Sequence, residues 1–197
     1  GTGIYSGAIE LLRVLRSDAP VLELVHRLDK GTSGCLMVAK KRSSLREYHA
    51  MLRDQAIKKT YLVLAYGQWQ GGERLVSAAL QKRVHSSGER MVSVNKNGKP
   101  AQTRFKLKQQ FGEFCLLQAQ PLTGRTHQIR VHAAYIGYPI AGDDKYGCTE
   151  GNKALRRMGG GRLFLHAGSL KLPTQKGSIV IEAPLCTELQ DLLLRLQ

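Results

Sequence analysis

The stretch Thr103-Arg-Phe-Lys-Leu-Lys108 alternates basic and apolar side chains from Arg104 onward, and its charged positions are all basic. Successive side chains of a strand face opposite ways, so this piece predicts a strand with one face for a core and one cationic face. It is the clearest of a series. Residues 60–66, 91–94, 114–119, 163–166 and 179–182 are short runs rich in branched, aromatic and apolar residues, and residues 35–40 read as a buried strand between turn-forming neighbours. Asn97-Gly-Lys-Pro100 and Pro121-Leu-Thr-Gly124 punctuate them as turns.

Helical spacing is confined to short pieces. Ile9 and Leu12 share a face over residues 9–15. Ser44, followed three residues later by Glu47, has the form of a capping box for a helix ending near Asp54. Ile129, Ala133 and Ile136 carry another helix, closed by Gly137 with Pro139 beyond it. Residues 143–162 are glycine-rich and long for a bare connection, so they hold either a short helix or a functional loop. Thr187 is placed to cap a last helix carrying Leu189, Leu192, Leu193 and Leu196. Strands mixed with helices, without regular βαβ alternation, predict an α+β fold whose mixed sheet is largely antiparallel, flanked by helices and loops.

Charge narrows the partners. The 197 residues include 30 Lys+Arg against 15 Asp+Glu, a net charge of +15, which points to a polyanion. No run of 18 apolar residues offers a membrane span, and residues 1–10 lack the shape of a secretory signal. Cys35, Cys115, Cys148 and Cys186 are scattered without a Cys-x-x-Cys pair, and the six histidines do not cluster; His127 and His132 stand at the wrong helical interval for a shared metal. A cytoplasmic, monomeric protein with no metal, no cofactor and no membrane partner is the expectation.

Two stretches break the apolar pattern. His26-Arg-Leu-Asp-Lys-Gly-Thr-Ser-Gly34 puts a carboxylate, Asp29, in a polar glycine-bounded loop between apolar runs. Alone, it reads as an Asx-turn connection. Thr123-Gly-Arg-Thr-His-Gln-Ile-Arg-Val-His132 puts Arg125, His127 and Arg130 at the start of a helix, a pattern that also suits simple phosphate binding.

Together with Lys59-x-Tyr61, Gly137-x-Pro-Ile-x-Gly-Asp-x-x-Tyr-Gly147 and Leu163-Phe-Leu-His-Ala167, these ordered segments resemble the RluA-type pseudouridine synthases over nearly the whole chain. Within that family, residues 84–92 and Phe164-Leu-His-Ala167 look most like members acting on ribosomal RNA of the large subunit (23S rRNA). The resemblance implies the pseudouridine synthase catalytic fold with a central cleft. It also implies isomerisation of uridine to pseudouridine by base flipping and an essential aspartate, with no cofactor. It further implies that residues 1–197 are a catalytic domain lacking the usual N-terminal strand motif and any separate RNA-binding domain.

By the same resemblance Asp29 is the catalytic carboxylate, able to attack C1′ or C6 or to remove a sugar proton. Arg130 is the cation that keeps it charged, its planar fork suited to holding both oxygens, and Tyr61 lines the pocket against the uracil. Arg27 enters the space left by the flipped base, while Arg125 and His127 are placed for RNA phosphates. His26 and His166 read as structural, and Thr32 and Ser33 as bracing the Asp29 loop through hydroxyl-to-backbone bonds. Two rivals remain: a non-catalytic RNA-binding module, and a hydrolase using His127 or His132 with Asp29.

Overall fold

The computed structural model describes residues 7–84 and 90–197. In chain order the first elements are helix α1 (Ala8–Leu15), strands β1 (Glu23–Leu24), β2 (Ser33–Gly34) and β3 (Val38–Ala39), and helix α2 (Arg42–Arg53). Strands β4 (Lys58–Tyr66), β5 (Arg74–Ser77), β6 (Leu80–Val84), β7 (Arg90–Val94), β8 (Gln102–Phe111) and β9 (Phe114–Pro121) follow. Helices α3 (Gln128–Tyr135) and α4 (Thr149–Arg157), strands β10 (Leu165–Thr174) and β11 (Gly177–Glu182), and helix α5 (Thr187–Arg195) complete the chain.

The chain divides into two compact units. The first holds the residues up to Leu28 together with Leu36–Ile57. Its β1 and β3 pair antiparallel, Glu23 opposite Ala39. The Glu10 carboxylate accepts from the Gly7 N–H at 2.9 Å and caps α1. His26 acts structurally here, its Nε2 accepting from the Met37 N–H at 3.1 Å. The predicted strand over residues 35–40 is not one element. Only Val38 and Ala39 pair within this unit, whereas Cys35 belongs to the second. The capping box at Ser44 and Glu47 is also unused: α2 starts earlier, at Arg42 after Lys41, with no side-chain cap. Its end at Arg53 agrees with the spacing.

The second unit, Asp29–Cys35 with Lys58–Gln197, is built on a seven-stranded sheet in the order β11-β10-β4-β9-β8-β5, with β2 added beside β10. Every pairing is antiparallel except that of β2 with β10, so the sheet is mixed and largely antiparallel as predicted. β4 is central and buried on both faces, with Val63, Leu64 and Ala65 fully enclosed, which explains its unbroken apolar run. β8 shows the alternation of its sequence: Thr103 and Phe105 are buried, whereas Lys106 and Lys108 are exposed.

One face of this sheet carries the main core. Leu64, Phe114 and Leu116 pack with Phe164 and with Leu155 of α4 and Leu189 and Leu192 of α5. Helix α3 is tied to β8 on the other face, where His132 Nδ1 meets Thr103 Oγ1 at 2.8 Å and Gln128 Nε2 donates to the same oxygen at 3.0 Å. α4 fills the glycine-rich stretch, the helical alternative for residues 143–162. β10 begins two residues after the predicted start at Leu163; the Phe164 N–H is committed to the Ala141 carbonyl at 2.9 Å while its carbonyl accepts from the Leu64 N–H of β4 at 3.2 Å. Thr187 is the first residue of α5 rather than its cap; Cys186 holds the cap position and makes no side-chain bond there.

Candidate active site

Asp29 opens a seven-residue excursion of the chain into the second unit. Its carbonyl accepts from the Thr32 N–H at 2.9 Å, closing a tight turn. The chain then joins the sheet, with Ser33 and Gly34 opposite His166 and Ala167 of β10. Gly34 has φ +106°, and a Cβ there would lie 2.2 Å from the Ala167 carbonyl oxygen. Only glycine permits that approach. Ser33 Oγ donates to His166 Nδ1 at 2.9 Å, because His166 Nε2–H is committed to the Ala183 carbonyl at 2.9 Å. His166 is thus buried and structural, and Ser33 braces the loop through this side chain rather than through backbone. Thr32 Oγ1 makes no such bond; it is buried without a partner among the described residues. Arg162 adds a further tie, Nη2 to the Gly31 carbonyl at 2.9 Å.

Arg130 stands in the first turn of α3 and is 8% exposed. Its Nη1 lies 3.5 Å from Asp29 Oδ2. The planar fork does not hold Asp29, however. Nε and Nη2 bind Asp143 Oδ2 and Oδ1 at 2.7 and 2.8 Å, leaving only Nη1 for Asp29. Asp143 is 1% exposed and also accepts from the Lys145 and Tyr146 N–H groups at 2.9 and 3.0 Å. Burial pushes the Asp143 carboxyl up, but Arg130 and the two backbone donors outweigh it and hold the group below its ordinary range. The guanidinium also lies over the Tyr146 ring, 5.0 Å from its centroid.

His127 holds the N-cap position of α3 with φ +52° and makes no side-chain cap there; this left-handed conformation costs an L-residue with a Cβ about 1–2 kcal/mol. Such strain persists only where neighbours over-determine it. Here Nδ1 meets Tyr146 Oη at 2.8 Å, and Nε2 lies 4.0 Å from Asp29 Oδ1. Burial lowers the His127 pKa, Asp29 and Asp143 oppose that, and Arg130 and Lys145 reinforce it; the net shift is downward. The imidazole is therefore neutral at pH 7. His127, expected at RNA phosphates, thus stands between the Tyr146 hydroxyl and the Asp29 carboxylate.

Tyr61 on β4 is buried, 9% exposed, and opposite Ala119 of β9. Desolvation, then the Asp29 charge, push its phenol up to about 12, so it stays protonated beside the carboxylate. Arg125 is exposed and turns its Nε to the Pro100 carbonyl at 3.0 Å. Arg27 is exposed and belongs to the first unit. The second unit thus gathers Asp29, Tyr61, His127 and Arg130, and adds Asp143 and Tyr146, to which no role had been given. The signal was present in Gly142-Asp-Asp-Lys-Tyr-Gly147, whose acid and phenol recur within a motif already singled out.

This arrangement offers one carboxylate on a braced loop, a cation that cannot follow it, and two neutral hydrogen-bonding groups. It suits attack on carbon or proton removal by Asp29. The hydrolase alternative through His132 does not fit, since that side chain is fully buried and both its nitrogens are occupied by Thr103 and Ala78. Among the described residues no group of three or more His, Cys, Asp or Glu is placed to hold a metal, and no helix is long and apolar enough to cross a membrane.

The model of the RNA pseudouridylate synthase family matches residues 7–135, and the chain belongs to that family. It is 50% identical over 199 residues to ribosomal large subunit pseudouridine synthase C of Yersinia pestis, covering 100% of this chain and 62% of that protein. The protein of the same name from Escherichia coli strain K12 is 50% identical over 202 residues, covering 100% of this chain and 63% of its own length. The chain thus spans less than two thirds of these relatives. Among solved structures, human RNA pseudouridylate synthase domain containing 1 superposes with TM-score 0.75 at 26% identity, covering 95% of this chain and 85% of its own. Human RNA pseudouridylate synthase domain containing 4, at 24% identity and TM-score 0.77, shares the fold. Of the stretch 84–92 that carried the finer likeness, residues 85–89 lie outside the described residues.

Proposed function

We propose that this chain isomerises uridine to pseudouridine in large-subunit (23S) ribosomal RNA, acting in the cytoplasm. The N1–C1′ bond breaks, a C5–C1′ bond forms, C5 loses its proton and N1 gains one; no electrons are exchanged with a cofactor. The observation that carries the reading is the Asp29 carboxylate on its braced loop, 3.5 Å from the fixed Arg130 guanidinium. Attack on C1′, attack on C6 and removal of a sugar proton are all within the reach of such a group. Tyr61 faces the uracil, Arg27 takes the space of the flipped base, and Arg125 binds backbone phosphate. The similarity to proteins named ribosomal large subunit pseudouridine synthase C supports the substrate class.

The test is to map pseudouridines in large-subunit rRNA after incubation with the wild-type protein and with Asp29→Asn. New pseudouridine with the first and none with the second is the expected result. RNA bound but unmodified by the wild type would leave a binding module instead, and cleaved RNA would restore the hydrolase.

A further inference from the structure

Tyr146 joins Arg130, Asp143 and His127, its ring under the first, its N–H on the second and its hydroxyl on the third. Its phenol is held on every side. The ring packs against the cluster of Leu80, Val92, Ala101 and Val131, and meets the His127 ring edge-on at 5.5 Å. Its oxygen accepts from the Val92 N–H at 3.0 Å, so its single proton is free for His127 Nδ1 at 2.8 Å. A neutral imidazole that accepts at Nδ1 carries its own proton on Nε2. That N–H has no hydrogen-bond acceptor among the described residues. It faces Asp29 Oδ1 across 4.0 Å, too far for a bond.

Resting on the function proposed above, we propose that Tyr146 is a positioning residue. It fixes His127 as the Nε2–H tautomer, and this N–H donates to an acceptor oxygen flanking the N1–C1′ bond of the target nucleotide. Of the oxygens that flank that bond, the ribose ring oxygen gives up electron density to C1′ as the bond breaks and becomes a poorer acceptor, which leaves uracil O2 and the ribose 2′ oxygen. Each route open to Asp29 brings its carboxylate to atoms within two bonds of N1 or C1′, and a donor 4.0 Å from Oδ1 reaches the same neighbourhood. At O2 the donor meets charge that develops as the base departs, so the contact strengthens in the transition state. At the 2′ oxygen it reads ribose against deoxyribose. A neutral donor is the form required, because an imidazolium would pair with Asp29 and quench it. The charged and titratable groups around the ring are Asp29, Asp143, Arg130, Lys145 and Tyr146, and their balance with burial leaves it neutral.

Tyr146→Phe keeps the ring under Arg130 and removes only the hydroxyl. Nitrogen NMR of the protein without RNA should show His127 as a single Nε2–H tautomer in the wild type and as a mixture in the variant. On rRNA fragments, kcat should fall about tenfold with KM within about twofold, the pattern of a contact made in the transition state. Fragments carrying 2-thiouridine or 2′-deoxyuridine at the target position separate the two oxygens. The wild type should lose rate on the analogue whose acceptor is altered, whereas Tyr146→Phe and His127→Leu lose little more. His127→Gln, which retains an N–H, should fall between wild type and His127→Leu; this pair carries the test if Tyr146→Phe melts early. An Nδ1–H tautomer in the wild type, wild-type kcat in Tyr146→Phe, or equal analogue penalties in all proteins would overturn the inference. A wild type that makes no pseudouridine overturns the proposed function and the nucleotide contact together, whereas a wrong tautomer overturns this inference alone.

Discussion

Arg130 binds Asp143 through two nitrogens, at 2.7 and 2.8 Å, and reaches Asp29 with only the third, at 3.5 Å. The cation beside Asp29 is therefore aimed by a second carboxylate, which lies beyond the end of α3. Asp143→Asn should cost about 3 kcal/mol of stability, because removing one partner of a buried pair strands the other's charge. Turnover should fall at least about tenfold as Arg130 swings towards Asp29. Urea midpoints and pseudouridine yield check both, and an unchanged midpoint would show the pair to be energetically idle.

Asp29→Asn separates chemistry from binding. Pseudouridine formation should vanish, while affinity for RNA stays within a few fold of wild type, since binding rests on dispersed cations of a +15 chain. Single-turnover assays and a filter-binding titration measure the two. A variant with a tenth of wild-type turnover would remove Asp29 from the reacting role.

Stability should fall on the acid side in two stages. Burial is the leading cause that lowers the His127 and His132 pKa values below the ordinary 6.5. The unfolded chain then takes up protons first, so stability is complete above about pH 6.5 and declines as pH drops through the folded values. The slope is at most about 1.4 kcal/mol per pH unit for each group. Asp143 titrates below its ordinary 3.8, so its contribution holds above that pH and is lost further down. Denaturant midpoints between pH 8 and pH 3 test the order; a flat profile from pH 7 to pH 5 would contradict the histidine stage.

Gly34→Ala should be severe and Gly72→Ala mild. At Gly34 the added Cβ would meet the Ala167 backbone at 2.2 Å with φ at +106°, whereas at Gly72 nothing lies within 4 Å. The first should lose more than about 2 kcal/mol and most activity, and the second should stay within about 0.5 kcal/mol. Thermal melts and product yield of the two variants compare them directly.

What could be read from the chain was what local periodicity encodes. β8 announced itself because its alternation is itself the cause of one buried and one cationic face. α5 did so through its leucines. Residues 35–40 misled because Cys35 is held by β10, its N–H donating to the Ala167 carbonyl more than a hundred residues away, while Val38 and Ala39 pair with β1, and a two-residue pairing leaves no pattern in its own stretch. The Ser44–Glu47 box failed for the opposite reason: a satisfactory local signal lost to a helix that starts earlier. Asp29, Tyr61 and Arg130 came from a resemblance, which brought residues but not the partner that aims Arg130. Asp143 and Tyr146 stand at fixed places of the motif ending at Gly147, yet their roles follow only from the folded geometry, which sets one against Arg130 and the other against His127.

The carboxylate and the residues around it are not contiguous along the chain. Asp29–Cys35 enters the second unit between two segments of the first, and the rest of that unit begins only at Lys58. A gene fragment starting at Lys58 would encode Tyr61, His127, Arg130, Asp143 and Tyr146 with the basic strand β8, yet omit Asp29, the carboxylate proposed to react. Recombination at any single junction therefore either carries residues of the first unit along or transfers a cationic platform without that carboxylate. The Asp29 loop and its surroundings can be inherited only as an interleaved whole.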